Sequence, residues 1–215
     1  MTQPDLDLKP SDHFERQSPK AKILLLACGA LAREIVDVLE ANHWSGFAIQ
    51  CLPAKWHNTP QFIVPALREK IRANRELFET IYVLYGDCGT GGQLDAMLAE
   101  EGIERIAGPH CYSFFSGNVK FAATSDADMT SFFLTDYLAR HFDKLIWAGL
   151  GLDKHPQLRD DYFGNYTKLI YLAQTKDEGL KVAAAAAAVK LGLAFEYRFT
   201  GYGELASEIV NLAMG

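Results

Sequence analysis

Four cysteines are the residues of this chain best suited to chemistry, and their positions say more than their number. Cys28, Cys51 and Cys88 each close a short apolar run, and Cys111 follows a fourth by a few residues. Thiolates are nucleophiles and soft metal ligands. Their neighbours add further donors: Asp87 stands beside Cys88, His110 beside Cys111, and His57 lies in the loop after Cys51. Three thiolates, alone or with one imidazole, make a zinc environment, and an incomplete protein shell leaves a position for a substrate. The expected ligands are Cys28, Cys88 and Cys111, with His110 or His57 as a fourth ligand or proton carrier and Asp87 as an orienting group. Cys51 runs into Leu52 and Pro53 rather than a glycine turn, which marks it as structural. Thiol redox chemistry and plain packing compete with the metal reading, because cysteine often behaves as a small buried hydrophobe and no CxxC pair is present. The same thiolates would also serve an iron–sulfur cluster.

The elements that must position these residues follow from the hydropathy pattern. KILLLA (22–27) is a nearly unbroken apolar run, as expected of a strand buried on both faces. Leu31, Ile35, Val38 and Leu39 then recur at helical spacing. FAIQC (47–51) and TIYVLYGDC (80–88) repeat the strand pattern, each followed by a helical stretch, and ERIAG supplies a shorter fourth strand. SFFLT (131–135), KLIYLAQ (168–174) and FEYRF continue it in the second half, with an alanine-rich helix through 183–188 and a last helix from about Glu204. Asp136 is expected to cap a helix. The implied fold is α/β: a Rossmann-like, mainly parallel sheet with helices on both faces, either as two similar lobes or as one continuous sheet. The expected division is a solvated tail over 1–20, a cysteine-bearing half over 21–120 and a second half over 121–215. In a parallel sheet the carboxyl ends share one edge, so the cysteines are expected there, with the dipoles of following helices favouring thiolate at Cys28 and Cys88.

GDCGTGG (86–92) also admits an anion-binding reading, with Gly89, Gly91 and Gly92 letting backbone N–H groups approach a phosphate or cofactor. It matches neither the dinucleotide nor the P-loop spacing, and a tight turn that brings Cys88 to the sheet edge explains the glycines equally well. Tyr166, in DYFGNY, is a candidate for lining a cofactor pocket.

Composition excludes several classes. With 49% hydrophobic residues among 215, a sizeable core is available. Lys and Arg number 21 against 27 Asp and Glu, a net charge of −6 with no basic stripe, so nucleic acid is not the expected partner. Four cysteines are too few to staple a chain of this length, and neither a secretory signal nor a membrane span is evident. A cytoplasmic protein with reduced thiols and no membrane partner is the expectation.

Taken together, ACGALAREI, LPAKWHNTP, YGDCGTGG, GPHCYSFF, GLGLDKHPQLRD and FGNYTKLIYLAQT resemble the domain-of-unknown-function family sixteen-thirty-eight, over about residues 22–206. The resemblance implies a setting in corrinoid-dependent methyl transfer and one-carbon metabolism. It makes a corrinoid or small molecule the expected ligand and a methyltransferase the expected partner protein. Cys28, Cys88 and Cys111 fall inside the family-like motifs, and Cys51 does not. Two functions follow: a zinc enzyme of one-carbon metabolism, or a non-catalytic module that carries a metal or corrinoid or serves as an accessory subunit of a methyltransferase.

Overall fold

A computed structural model describes residues 13–215. The described residues divide into two compact units, residues 13–111 with 205–215, and residues 112–204. The strands form two separate sheets, so the second half has its own sheet and does not extend the first. The division falls at Cys111, earlier than the expected 120, and the last segment of chain returns to the first unit.

The first unit is built on five strands in the order β1-β3-β2-β4-β5. They are β1 (Phe14–Arg16), β2 (Ile23–Cys28), β3 (Phe47–Leu52), β4 (Thr80–Leu84) and β5 (Glu104–Arg105), with helices α1 (Ala32–Ala41), α2 (Ile63–Asn74) and α3 (Gln93–Glu101) between the parallel strands. From Ile23 to Cys28, β2 pairs in parallel with β3 on one side and β4 on the other. Its residues 24–28 are buried without alternation, as are all six of β3, because helices cover both faces. Expected strands therefore hold, with one correction at the amino end. Phe14–Arg16 is an antiparallel edge strand, with Phe14 opposite Cys51, and not part of a solvated tail; the rest of that expectation, residues 1–12, lies outside the described residues.

The decisive feature is the strand order. From β2 the chain crosses first to β3 on one side and then to β4 on the other. This reversal opens a crevice outside the carboxyl ends of β2 and β4, the place where open α/β sheets hold ligands.

In the second unit, three short helices, α4 (Ser113–Ser116), α5 (Asn118–Ala123) and α6 (Ser125–Asp128), precede β6 (Ser131–Leu134). They are followed by α7 (Asp136–Arg140), α8 (Arg159–Phe163), β7 (Lys168–Ala173), α9 (Glu178–Leu191) and β8 (Ala194–Phe199), after which α10 (Gly203–Met214) carries the chain into the first unit from Leu205 on. The sheet is parallel, in the order β6-β7-β8. The alanine run packs Ala184, Ala187 and Ala188 into the core, since a helix of small side chains can lie close to the sheet.

Two buried carboxylates hold this unit. Asp136 is not the cap of α7; Thr135 is, its hydroxyl accepting from Leu138 N–H at 3.3 Å. Asp136 is instead buried and accepts from Tyr171 Oη (2.7 Å), Gln174 N (3.0 Å), Thr175 N (2.9 Å) and Thr175 Oγ1 (2.5 Å), tying β6 to the end of β7. Asp128 accepts both guanidinium nitrogens of Arg198 (2.5 and 2.9 Å) and lies 3.0 Å from Lys168 Nζ. The Arg198 bonds come first among the causes that hold its carboxyl well below the usual range. With a folded pKa below the unfolded value near 3.9, the stabilisation is present above that value and is lost as pH falls toward the folded one. Removing one member of a buried pair costs about 3–5 kcal/mol. Arg198 and Lys168 keep Glu196, so Asp128→Asn is expected to cost about 3 kcal/mol in urea unfolding near neutral pH, with the difference from wild type shrinking in acid.

Candidate functional site

Three of the four cysteines meet at the crevice. Cys28 ends β2 and caps the short helix Gly29–Leu31, and the Ala30 N–H interacts with its sulfur. Cys88 lies four residues beyond β4, and Cys111 is reached through the loop that follows β5. Cys88 Sγ and Cys111 Sγ are 3.4 Å apart, and Cys28 interacts with Cys111. Cys51 lies inside β3, on the far side of β2 from β4, fully buried; burial, followed by the nearby Cys28, pushes its thiol far up. All four cysteines are unbridged.

Glycine makes the meeting of the loops possible. A Cβ on Gly86 would lie 2.6 Å from the carbonyl carbon of His110 and 2.8 Å from the nitrogen of Cys111, so the chain after β4 touches the backbone that carries the third cysteine. Hydrogen bonds run along the same contact: Asp87 N–H donates to Gly108 O (3.1 Å), Cys88 N–H to Pro109 O (2.9 Å), and Gly86 N–H to Cys111 Sγ (3.4 Å). Arg105 locks the loop from its other side, donating to the carbonyls of Tyr85, Ile106 and Gly108 while paired with Asp95 at 2.6 and 2.9 Å. Likewise a Cβ on Gly29 would lie 2.9 Å from Leu52 O, which shows how closely the chain after β2 approaches the chain that leads to His57.

The glycine turn serves the same end. Cys88 has φ +47°, a left-handed conformation that costs a non-glycine residue about 1–3 kcal/mol unless its surroundings impose it. Asp87 imposes it: its carboxylate accepts from Thr90 Oγ1 (2.7 Å), Gly91 N (3.1 Å) and Gly92 N (2.9 Å). Burial would raise the Asp87 pKa, but these bonds lower it overall. Gly91 and Gly92 therefore give their N–H groups to the chain's own carboxylate, and Asp87 positions Cys88 through the backbone. That arrangement replaces the phosphate reading of Gly89, Gly91 and Gly92.

Electrostatics single out Cys88. A hydrogen bond from the Cys111 thiol is the largest cause that holds the Cys88 thiol down at about 3; burial opposes it, and His110, His57 and the Cys111 N–H add to it. The Cys111 pKa rises correspondingly, first through its hydrogen bond to Cys28 and then through the one to Cys88, since its proton is the shared one. Cys28 is lowered by the same Cys111 donor against burial and the nearby Cys88. Only Cys88 has two imidazoles as well, so it is the seat of the charge. His57 is raised by its hydrogen bond with Cys88. Cys88 is thus a thiolate for a different reason than expected: α3 begins only at Gln93, beyond the turn, and side chains rather than a helix dipole stabilise the charge.

Tyr85 was not expected at the site, because it continues an apolar strand run. Its pKa is raised well above normal, first by burial and then by Cys28, Cys111 and Cys88, so it is held as a neutral phenol facing the sulfurs. Its hydroxyl is buried and makes no hydrogen bond of ordinary geometry among the described residues. Tyr166 belongs to the second unit, where it packs on Phe132 and Phe163 and helps line a cavity of about 270 Å³. Among the described residues, no group of three or more His, Cys, Asp or Glu side chains stands in a metal-ligating arrangement. The sulfurs of Cys88 and Cys111 share a hydrogen bond at 3.4 Å, closer than the roughly 3.8 Å that Zn–S bonds of about 2.3 Å impose at tetrahedral angles.

Fold and site define a Rossmann-like α/β protein with a buried thiol–thiolate cluster at the switch point of its first sheet. The chain belongs to the family described as "Protein of unknown function (DUF1638)", whose model matches residues 51–209. No curated protein matches the sequence. Among solved structures, ornithine carbamoyltransferase from Pyrococcus furiosus is similar at 13% identity, over 84% of this chain and 55% of that one, with a TM-score of 0.25. This chain thus spans little more than half the length of that enzyme. No helix among the described residues is long and apolar enough to cross a membrane.

Two outcomes test the site. Gly86→Ala forces a methyl group into backbone and is expected to cost about 1–3 kcal/mol, the range for overpacking, and to expose Cys111 to thiol reagents. At about pH 5, where an ordinary thiol with pKa near 8.5 is protonated, iodoacetamide should alkylate Cys88 in the native protein and leave Cys51 untouched, as peptide mass mapping would show. His57→Ala should move the pH midpoint of that alkylation upward by raising the Cys88 pKa, as a pH series of the same mapping would show.

Proposed function

We propose that this chain is a metal-binding protein in which Cys28, Cys88 and Cys111 hold zinc as thiolates, with His57 or His110 as a fourth donor. The observation that supports this is the convergence of three thiols from three separate strand ends, with two imidazoles on Cys88, at the crevice where the sheet order reverses. The donor set is that of a Cys₃His zinc site. The buried Tyr85 hydroxyl lies against the Cys28 sulfur and adds a polar group to the site. Seating the metal requires Cys111 to give up its proton and the two hydrogen-bonded sulfurs to separate by a few tenths of an ångström. Cys88 is already ionised, and Gly86 N–H stabilises charge on Cys111.

With the three thiolates as its only protein ligands and the imidazole kept as a proton carrier, the metal would supply Lewis acidity to a thiol, water or methyl acceptor in the remaining position. Asp87 holds Cys88 in its strained conformation, and Arg105 holds the loop of Cys111. Burial at the crevice keeps bulk water from the thiolates. We place this site in corrinoid-linked methyl transfer on the family resemblance; a carrier or accessory role for a methyltransferase is the alternative within that setting.

The 3.4 Å sulfur contact favours a second reading, thiol–disulfide exchange. There the Cys88 thiolate attacks a small disulfide, releasing one half as thiolate. Cys111 loses its proton, attacks Cys88 Sγ and displaces the other half, so that two electrons pass to the oxidant and a Cys88–Cys111 bond forms.

Metal analysis of protein purified without chelator separates the two. The metal reading expects about one zinc per chain, lost in Cys28→Ser, Cys88→Ser and Cys111→Ser and kept in Cys51→Ser. A folded, metal-free protein that gains no stability from added zinc overturns it, and loss of two hydrogens on treatment with oxidised glutathione then establishes the exchange reading.

A further inference from the structure

The edge of the second sheet carries a surface that neither thiol chemistry nor the family resemblance explains. Among the described residues, β8 is paired on one side only, with β7. Ala194 N–H donates to Thr167 O and Thr200 N–H to Ala173 O, which sets the phase of the strand. Even-numbered residues turn their backbone groups toward β7, so Phe195, Tyr197 and Phe199 turn theirs toward the other edge. The side chains of the same three residues share one face and are 37%, 37% and 50% exposed. Lys181 Nζ of α9 stands 5.2 Å over the Tyr197 ring, and along α9 Val182 and Val189 are 67% and 80% exposed. Large aromatics on an unpaired edge are a hazard that folded proteins usually suppress or use.

The strand's order of side chains selects its occupant. Phe195-Glu196-Tyr197-Arg198-Phe199 reads the same in chemical terms from both ends, apart from charge sign, which inverts about the centre. Placed antiparallel to itself with Tyr197 opposite Tyr197, it sets Phe195 against Phe199 of the second copy and Glu196 against Arg198, twice each by symmetry. The backbone phase suits this register, because the narrow, hydrogen-bonded pairs then fall on residues 195, 197 and 199, whose N–H and C=O groups are the outward ones. Slipping by one residue breaks that phase. Slipping the pairing to the next allowed registers places Glu196 opposite Glu196 or Arg198 opposite Arg198, which like-charge repulsion disfavours.

We propose that the occupant is a second copy of this chain, joined by antiparallel β8–β8 pairing about a two-fold axis at Tyr197. The pairing doubles the three-stranded sheet and removes an edge from each copy. Phe–Phe cross-strand pairs set the register together with the meeting of the two intrachain Glu196–Arg198 pairs (2.6 Å) with opposite charges facing, while each Arg198 keeps Asp128 and each Glu196 keeps Lys168 on its own chain.

Sedimentation equilibrium and directed cross-linking test it. The wild-type chain should sediment at about twice 23.9 kDa. Tyr197→Cys should form a disulfide-linked dimer under mild oxidant, since narrow pairs set Cα atoms about 5.5 Å apart, within disulfide range. Phe195→Cys alone should not, whereas Phe195→Cys mixed with Phe199→Cys should. Wild type, with its buried cysteines, is the control. Glu196→Lys, checked for folding by circular dichroism, should weaken association about tenfold through two like-charge contacts. A chain that stays monomeric up to its solubility limit overturns the proposal, and so does a dimer that Tyr197→Cys does not cross-link.

Discussion

Everything at the candidate site depends on one close approach, that of Gly86 to the backbone of His110 and Cys111. The two loops come from adjacent parallel strands, β4 and β5, and any side chain at position 86 would hold them apart. With hydrogen there instead, backbone bonds from Asp87 and Cys88 can stitch the loops together, and the sulfurs of Cys88 and Cys111 come within bonding distance. The contact is paid for locally by the left-handed backbone of Cys88, which the Asp87 carboxylate holds through the next turn.

Charge at the site follows from that geometry. A buried thiolate is costly unless hydrogen bonds replace its water. Cys88 has such donors in the Cys111 thiol and N–H and in two histidines, while Cys51, buried one strand away beside the charge of Cys28, stays protonated. The same residue type thus has opposite states a few residues from equivalent strand ends. Burial alone does not separate them; the arrangement of donors does. Tyr85, held as a neutral phenol by burial and by the sulfurs it faces, adds a polar group beside Cys28.

The second unit uses the same architecture for other ends. Its carboxyl-edge acid, Asp136, is saturated with bonds from Tyr171, Gln174 and Thr175 and is a structural clamp. Its notable surface is instead a sheet edge, where alternation along β8 sorts the side chains. Aromatic residues share one face, and charged residues, tied to Asp128 and Lys168, share the other.

Much of this was legible along the chain. Continuous apolar runs marked β2, β3, β4 and β7, because strands buried on both faces leave no polar alternation, and shared strand polarity placed the cysteines on one edge. Cys51 stood apart already, by the absence of a glycine turn after it. Phe14–Arg16 was not legible, since a short polar edge strand looks like tail, nor was the role of Tyr85, since an aromatic at the end of an apolar run looks like core. Gly89–Gly92 resembled an anion cradle because the sequence shows glycines and not where Asp87 points. The sequence by itself determined the strands, their direction and hence the edge on which thiols collect, because these depend on local periodicity. Only the tertiary structure decided which thiols meet and which one is ionised, because strand order, the Gly86 contact and the donors around Cys88 join residues far apart in the chain.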